Sequence, residues 1–182
     1  YSYTNMPTMG TLKLNGKTIH LKGKTWFDKQ GGTYTLTNPK TQWEWFSLRF
    51  FDDEEIMLFT FPQDGYYDGT YIPKDGKRVR LNNYKINTTS TVWFEGCKWS
   101  AGWKLHVPYK EQDYTIEPVQ QGHMNLAYFE ELCYVKNMKG EIVGHCFAEL
   151  LPGVLNDKNT KQEDGSPTKK TSAIKMFKRV EY

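Results

Sequence analysis

The chain has 182 residues, the size of one domain able to bury roughly two-thirds of its unfolded surface. Aromatic residues make up 15% of it, with 6 Trp, 12 Tyr and 10 Phe, a composition that favours pleated, half-buried surfaces over helices. The net charge is only +3, and with no basic helix and no RNP-type segment this excludes a nucleic-acid reading; no apolar run nears the ~20 residues of a membrane-spanning helix.

Strand signals follow one another at short spacing, and helical periodicity is almost absent. Met9–Leu14 and Lys17–Phe27 flank Asn15-Gly16, a strong two-residue hairpin signal. The second of these runs ends in a polar turn that opens at Trp26, crowds Asp28, Lys29 and Gln30 together, and closes on Gly31-Gly32. Such a turn suits a barrel mouth or the rim of a site. Gln42–Phe51 and Glu55–Phe61 flank Asp52-Asp53-Glu54, a second hairpin, and Thr70–Ile72 and Arg78–Leu81 flank Lys74-Asp75-Gly76, a third. Tyr84–Asn87, Thr91–Phe94, Trp103–Val107 and Tyr114–Glu117 read as shorter strands. Leu126–Val135 and Ile142–Leu150 flank Asn137-Met138-Lys139-Gly140, a further hairpin. Leu155–Thr171 is polar and reads as a loop, Ser172–Val180 as a last strand, and a short helix is expected in that loop or near Gln120–Asn125. The lysines and arginine of the tail (Lys169, Lys170, Lys175, Lys178, Arg179) read as a solvated strand edge.

Hairpin-linked strands in this number predict an all-β protein: an antiparallel barrel of about eight to ten strands that removes its edges by closing, with a flattened sandwich as the competing architecture. Along Trp43 to Phe50, one face carries Trp43, Trp45, Ser47 and Arg49 and the other Glu44, Phe46, Leu48 and Phe50. The second face reads as packing. The first mixes aromatic and polar groups as a ligand-cavity wall does, or is an exposed face carrying tryptophans.

The order of these segments resembles the C-terminal lipocalin-like domain of the AttH and carotenoid 1,2-hydratase (hydroxyneurosporene synthase) family. Tyr1-Ser2-Tyr3, Gly10 and Gly16-Lys17 match the opening of the family pattern. Gly23, Trp26, Asp28, Gln30 and Gly32 match its Gly-x-x-Trp-x-Asp-His-Glu/Gln-Trp-Gly motif; Trp43, Trp45 and Phe46 match its Trp-x-Trp-Phe strand. Val107-Pro108, Ile116-Glu117-Pro118, Tyr128-Phe129-Glu130 and Phe147-Ala148-Glu149-Leu150 follow in order, so the likeness spans Tyr1 to Gly153. It implies a calycin-type barrel and an N-terminal lipocalin-like half as partner. Lys29 stands where the family has His, Gly31 where it has the second Trp, Phe129 replaces Trp and Glu131 replaces Gly. Hydration of an alkene needs an acid that protonates carbon, and lysine, with a reference pKa near ~10.4, serves as one at neutral pH only after strong desolvation.

These residues support three functions. The first is binding of a hydrophobic small molecule in the barrel, lined by Trp26, Trp43, Trp45 and Tyr128, with Asp28, Lys29, Gln30, Arg49 and Glu130 as polar contacts. The second is a hydratase-like enzyme with Asp28 and Glu130 as acid and base. The third is a scaffold half packed on another barrel. Asp28 also suits an Asx turn, the tryptophans core packing, and Glu130 or Glu149 a structural pair with Arg49 or a lysine. No cofactor fingerprint occurs; His20, His106, His123 and His145 lack metal spacing, and Cys97, Cys133 and Cys146 lack CxxC spacing. The cysteines read as buried thiols, with a Cys133–Cys146 bridge as the alternative. No leader pattern is recognised; the compartment stays open, the cytoplasm slightly favoured over export, because the chain starts at Tyr1 without a methionine.

Overall fold

A computed structural model describes residues 1–31, 42–62, 64–125 and 128–151. The expected polar loop Leu155–Thr171, the strand Ser172–Val180, the basic tail, Gly32 and Leu126 lie outside the described residues. The chain divides into two compact units, Tyr1–Thr35 and Leu36–Tyr182.

The first unit is one long hairpin of β1 (Ser2–Leu14) and β2 (Lys17–Asp28). Asn15 and Gly16 form its turn at φ of 49° and 75°. Two consecutive positive φ values give the turn the twist of its strands, which is why Asn-Gly predicts it. Cross-strand pairs run from Leu14↔Lys17 to Ser2↔Asp28, with a bulge in β1 between Tyr3 and Met6. At the open end, the Tyr1 amino group donates to the Lys29 carbonyl and the Lys29 amide to the Tyr1 carbonyl, both at 2.9 Å.

Among the described residues the second unit is antiparallel and lipocalin-like, as expected from the sequence, and forms a curled half-barrel sheet of ten strands whose end strands β6 and β7 do not pair with each other. Its strands are β3 (Trp43–Phe50), β4 (Glu55–Phe61), β5 (Tyr66–Ile72), β6 (Val79–Arg80), β7 (Lys85–Thr88), β10 (Trp103–Val107), β11 (Gln112–Pro118), β12 (His123–Asn125), β13 (Tyr128–Asn137) and β14 (Ile142–Leu151). The hydrogen-bonded order is β6-β5-β4-β3-β14-β13-β11-β10-β7, with β12 beside β13. β14 therefore sits in the middle and joins β3 to β13. A separate hairpin of β8 (Thr91–Phe94) and β9 (Cys97–Ser100) turns at Glu95-Gly96, again with two positive φ values. Near Gln120–Asn125, one of the two places offered for a short helix, the chain forms strand β12, and among the described residues a single 3-10 turn occupies Pro108–Lys110; the other place lies outside the described residues.

Strand alternation puts the large apolar side chains on the enclosed side. Phe46, Leu48, Phe50, Ile56 and Leu58 meet Trp103, Leu105 and Ile116 there, all buried. Curling brings strands far apart in the hydrogen-bonded order together: the Phe46 ring on β3 meets the Trp103 ring on β10 edge-on, centroids 5.1 Å apart. The Tyr84 hydroxyl spans to the carbonyls of Phe59 (3.2 Å) and Asp68 (3.1 Å). Each buried side chain of this size contributes about 1.5–3 kcal/mol relative to exposure. Gly144 is required where β14 meets β3, because a Cβ there would lie 2.4 Å from the Arg49 carbonyl oxygen.

Candidate functional site

Two carboxyl groups sit on the enclosed side. On β3, Glu44 shares its face with Phe46, Leu48 and Phe50; on β13, Glu131 shares its face with Phe129, Cys133 and Val135. Both are buried, Glu131 to 1% exposure. Glu44 accepts two hydrogen bonds, from the Ser100 hydroxyl to Oε1 at 2.6 Å and from the Trp103 indole to Oε2 at 3.1 Å. Burial pushes the Glu44 carboxyl up, and those two bonds pull it partly back. Glu131 is held less fully. Burial pushes its pKa up to about 7, a hydrogen bond from the Gly122 amide lowers it, and the charge of Glu44 raises it again. Its Oε2 is buried with no hydrogen-bond partner among the described residues. The surroundings are aromatic: Trp99 stacks on Phe129 at 5.0 Å and Phe94 lies 5.6 Å from the same ring. Gly122 packs so tightly that an added Cβ would come within 2.5 Å of Glu131 Cγ. Protonated, Glu131 donates a proton; ionised, it accepts one, and a pKa near neutrality makes both forms available.

The residues singled out from sequence fall in two places. Trp26, Asp28, Lys29 and Gln30 belong to the hairpin unit, where Trp26 is half-buried and the other three are exposed. Trp43, Trp45, Arg49, Tyr128 and Glu130 belong to the sheet unit and share one face of it, the face turned away from the packed interior. There Trp43 meets Phe59 and Tyr128, both at 5.8 Å. Cross-strand pairing sets Trp45, Glu149, Glu130 and His123 in one row over four strands. Glu130 Oε1 accepts from the Asn125 amide at 3.2 Å and Oε2 lies 3.7 Å from His123 Nε2. The Trp/Ser/Arg face of β3 is thus the outer one, and the inward carboxylate of β13 is Glu131 rather than Glu130. Side chains alternate, so a one-residue difference in phase separates outside from inside.

Glu44 and Glu131 were not among the residues singled out, yet each carries a legible signal. A carboxylate in phase with three apolar residues on an alternating strand is buried when they are. Among the described residues, no group of three His, Cys, Asp or Glu side chains is placed to hold a metal. No helix there is long and apolar enough to cross a membrane. Cys97, Cys133 and Cys146 are free thiols; Cys133 and Cys146 are paired across β13 and β14 and buried, Cys97 half-buried.

A curled antiparallel sheet around an aromatic interior, with two carboxyl groups set into it, defines a lipocalin-like protein. The chain belongs to the AttH-like family, whose model matches residues 1–153. Among solved structures it is similar to kievitone hydratase from Nectria haematococca, at 16% identity and a TM-score of 0.63. The match covers 85% of this chain and 52% of that one, so the chain spans about half the length of that hydratase. Comparison with curated proteins finds no match.

Proposed function

We propose that the chain binds a hydrophobic small molecule, of lipid, isoprenoid or polyene type, against the aromatic interior of its curled sheet, with Glu44 and Glu131 as the polar contacts. One observation carries this reading: a buried carboxyl oxygen of Glu131 has no hydrogen-bond partner among the described residues. A buried polar atom left unsatisfied costs about 1–3 kcal/mol, and a hydroxyl or carbonyl on an otherwise apolar ligand relieves that cost. Apolar walls with a few convergent polar groups are the usual make-up of a small-molecule site.

A second reading is a hydratase-type enzyme acting on an apolar alkene, and the elevated pKa of Glu131 favours it. A carboxylic acid near neutrality can deliver its proton to the alkene carbon; the faces of Phe129 and Trp99 and the carboxylate of Glu44 stabilise the carbocation; water adds to the cation and returns a proton to Glu131. The similar structure is a hydratase by name, and the family's motif histidine is Lys29 here. The outer-face residues Trp43, Trp45, Arg49, Tyr128 and Glu130 offer an alternative seat for the ligand, and Trp26, Asp28, Lys29 and Gln30 one on the hairpin.

Titration with retinol and with a long-chain fatty acid, followed by tryptophan fluorescence, separates these seats. With the ligand inside, Glu131→Gln and Phe129→Ala weaken binding about tenfold or more, and Trp45→Ala stays within about twofold. Loss of binding in Trp45→Ala or Asp28→Asn, with Glu131→Gln unaffected, overturns the interior seat.

A further inference from the structure

The hairpin unit has two unlike faces. On β2, Ile19, Leu21 and Phe27 alternate with His20, Lys22 and Lys24. On β1, Leu12 and Leu14 alternate with Thr11 and Lys13. Cross-strand pairing matches like with like: Leu12 faces Ile19 and Gly10 faces Leu21, while Lys13 faces Thr18 and Pro7 faces Lys24. The bulge between Tyr3 and Met6 inserts one residue into β1, so Tyr3 returns to the apolar face opposite Phe27. The Tyr3 and Phe27 rings stack at 6.4 Å, with Tyr1 against both. One face therefore carries the aliphatic and aromatic rows on either side of a Thr8–Thr25 hydrogen bond, and the other carries the lysines with Met9, Pro7 and Trp26.

Within the hairpin unit taken by itself, no described residue covers the apolar face. Leu12 is 44% exposed, Leu14 52%, Leu21 51%, Phe27 44% and Tyr3 58%. A two-stranded hairpin alone is marginally stable in water and needs a third strand or a packed face. A polar side chain at Leu21 would suit solvent better, so the sequence holds an apolar surface where an isolated hairpin has no use for one.

We propose that this face packs against the same face of a second copy of the chain, giving a two-layer, four-stranded sandwich about a two-fold axis. Three properties select a second copy. The face is self-complementary, with aliphatic rows near the turn and aromatics at the open end, so a two-fold axis running along the strands sets Leu12 of each copy against Ile19 of the other and Tyr3 against Phe27. It carries one charge, Lys17 beside the turn, at its margin, so two copies meet without central repulsion. Its three aromatics expose on the order of 350 Å². With the four aliphatic side chains, the face reaches the range of the ~800 Å² per partner of a standard interface. A lipid surface fits less well, because Lys13, Lys22 and Lys24 project from the opposite face and would be held away from anionic headgroups.

Sedimentation of the whole chain from about 1 to 100 μM tests this. The expected result is a concentration-dependent species of twice the monomer mass. Leu21→Lys, whose cross-strand neighbour is only Gly10, weakens association at least tenfold; Thr11→Lys, which adds the same charge to the basic face, leaves it unchanged. Amide exchange of the β1–β2 ladder reads whether each variant keeps its hairpin, and Leu21→Gln replaces Leu21→Lys should that ladder be lost. A monomer at 100 μM with the ladder protected overturns the proposal. So does a dimer indifferent to Leu21→Lys. Binding to phosphatidylcholine–phosphatidylglycerol vesicles by a monomeric chain, abolished by Leu21→Lys, also overturns it and assigns the face to lipid. Association only with a separately expressed lipocalin-like half of an AttH-like protein overturns it likewise.

Discussion

The indole of Trp103 on β10 donates to the carboxylate of Glu44 on β3 at 3.1 Å, between two strands that are not neighbours in the sheet. The same Trp103 ring packs edge-on against Phe46, two residues from Glu44 along the strand. One side chain thus closes the curl and satisfies a buried charge. Trp103→Phe keeps most of the packing and removes the donor. We expect a loss of about 1–3 kcal/mol in urea unfolding and a further rise in the Glu44 pKa, read by carboxyl NMR.

Glu131 makes stability fall as pH rises. Its folded pKa of about 7 lies above its ordinary 4.5, so between those values the unfolded chain releases a proton that the folded chain keeps. The unfolded state is favoured progressively across that window, and the loss is complete above pH 7, on the order of 2–3 kcal/mol. Glu131→Gln should flatten this slope in unfolding curves taken from pH 4.5 to 8. A slope unchanged by the substitution would place the titrating group elsewhere.

Gly122 offers a steric test of the same interior. An alanine methyl there would lie 2.6 Å from the Glu130 carbonyl oxygen and 2.8 Å from the Phe129 ring. Gly122→Ala should cost about 1–3 kcal/mol through displacement of the start of β13. It should also move the Glu131 titration, since the Gly122 amide is that carboxyl's hydrogen-bond donor.

The thiols should react in two classes. Burial raises the pKa of all three thiols, so access separates them: Cys133 and Cys146 are buried, and Cys97 is half-buried. Native protein should show at most one thiol, Cys97, reacting with an aromatic disulfide reagent within minutes, and all three should react in denaturant.

Much of the fold was legible because its signals are local. Asn15-Gly16 has one good backbone solution, and the packing face of β3 follows from alternation alone. The segment Gln120–Asn125 was not legible: three residues become β12 only because β13 offers an edge to pair with. The site was half legible for the same reason. Adjacent glutamates at 130 and 131 fix nothing about which points inward until β13 is registered against β14 and β11. The aromatic content of Trp43 and Trp45 suggested a cavity, but aromatics also cover the outer side of a sheet, here with Phe59 and Tyr128.

The position of β14 has a kinetic consequence. It pairs locally with β13 through a turn held by Asn137, whose side-chain oxygen accepts from the amides of Lys139 and Glu141 at 2.9 and 3.0 Å. Its other side must find β3, about a hundred residues earlier in the chain. The meander β3 to β6 leaves the ribosome before β14 does, and its β3 edge stays unpaired until β14 has emerged. Folding of the sheet is therefore gated by its last described strand, and the β3 edge is where a nascent or truncated chain is most exposed to mispairing.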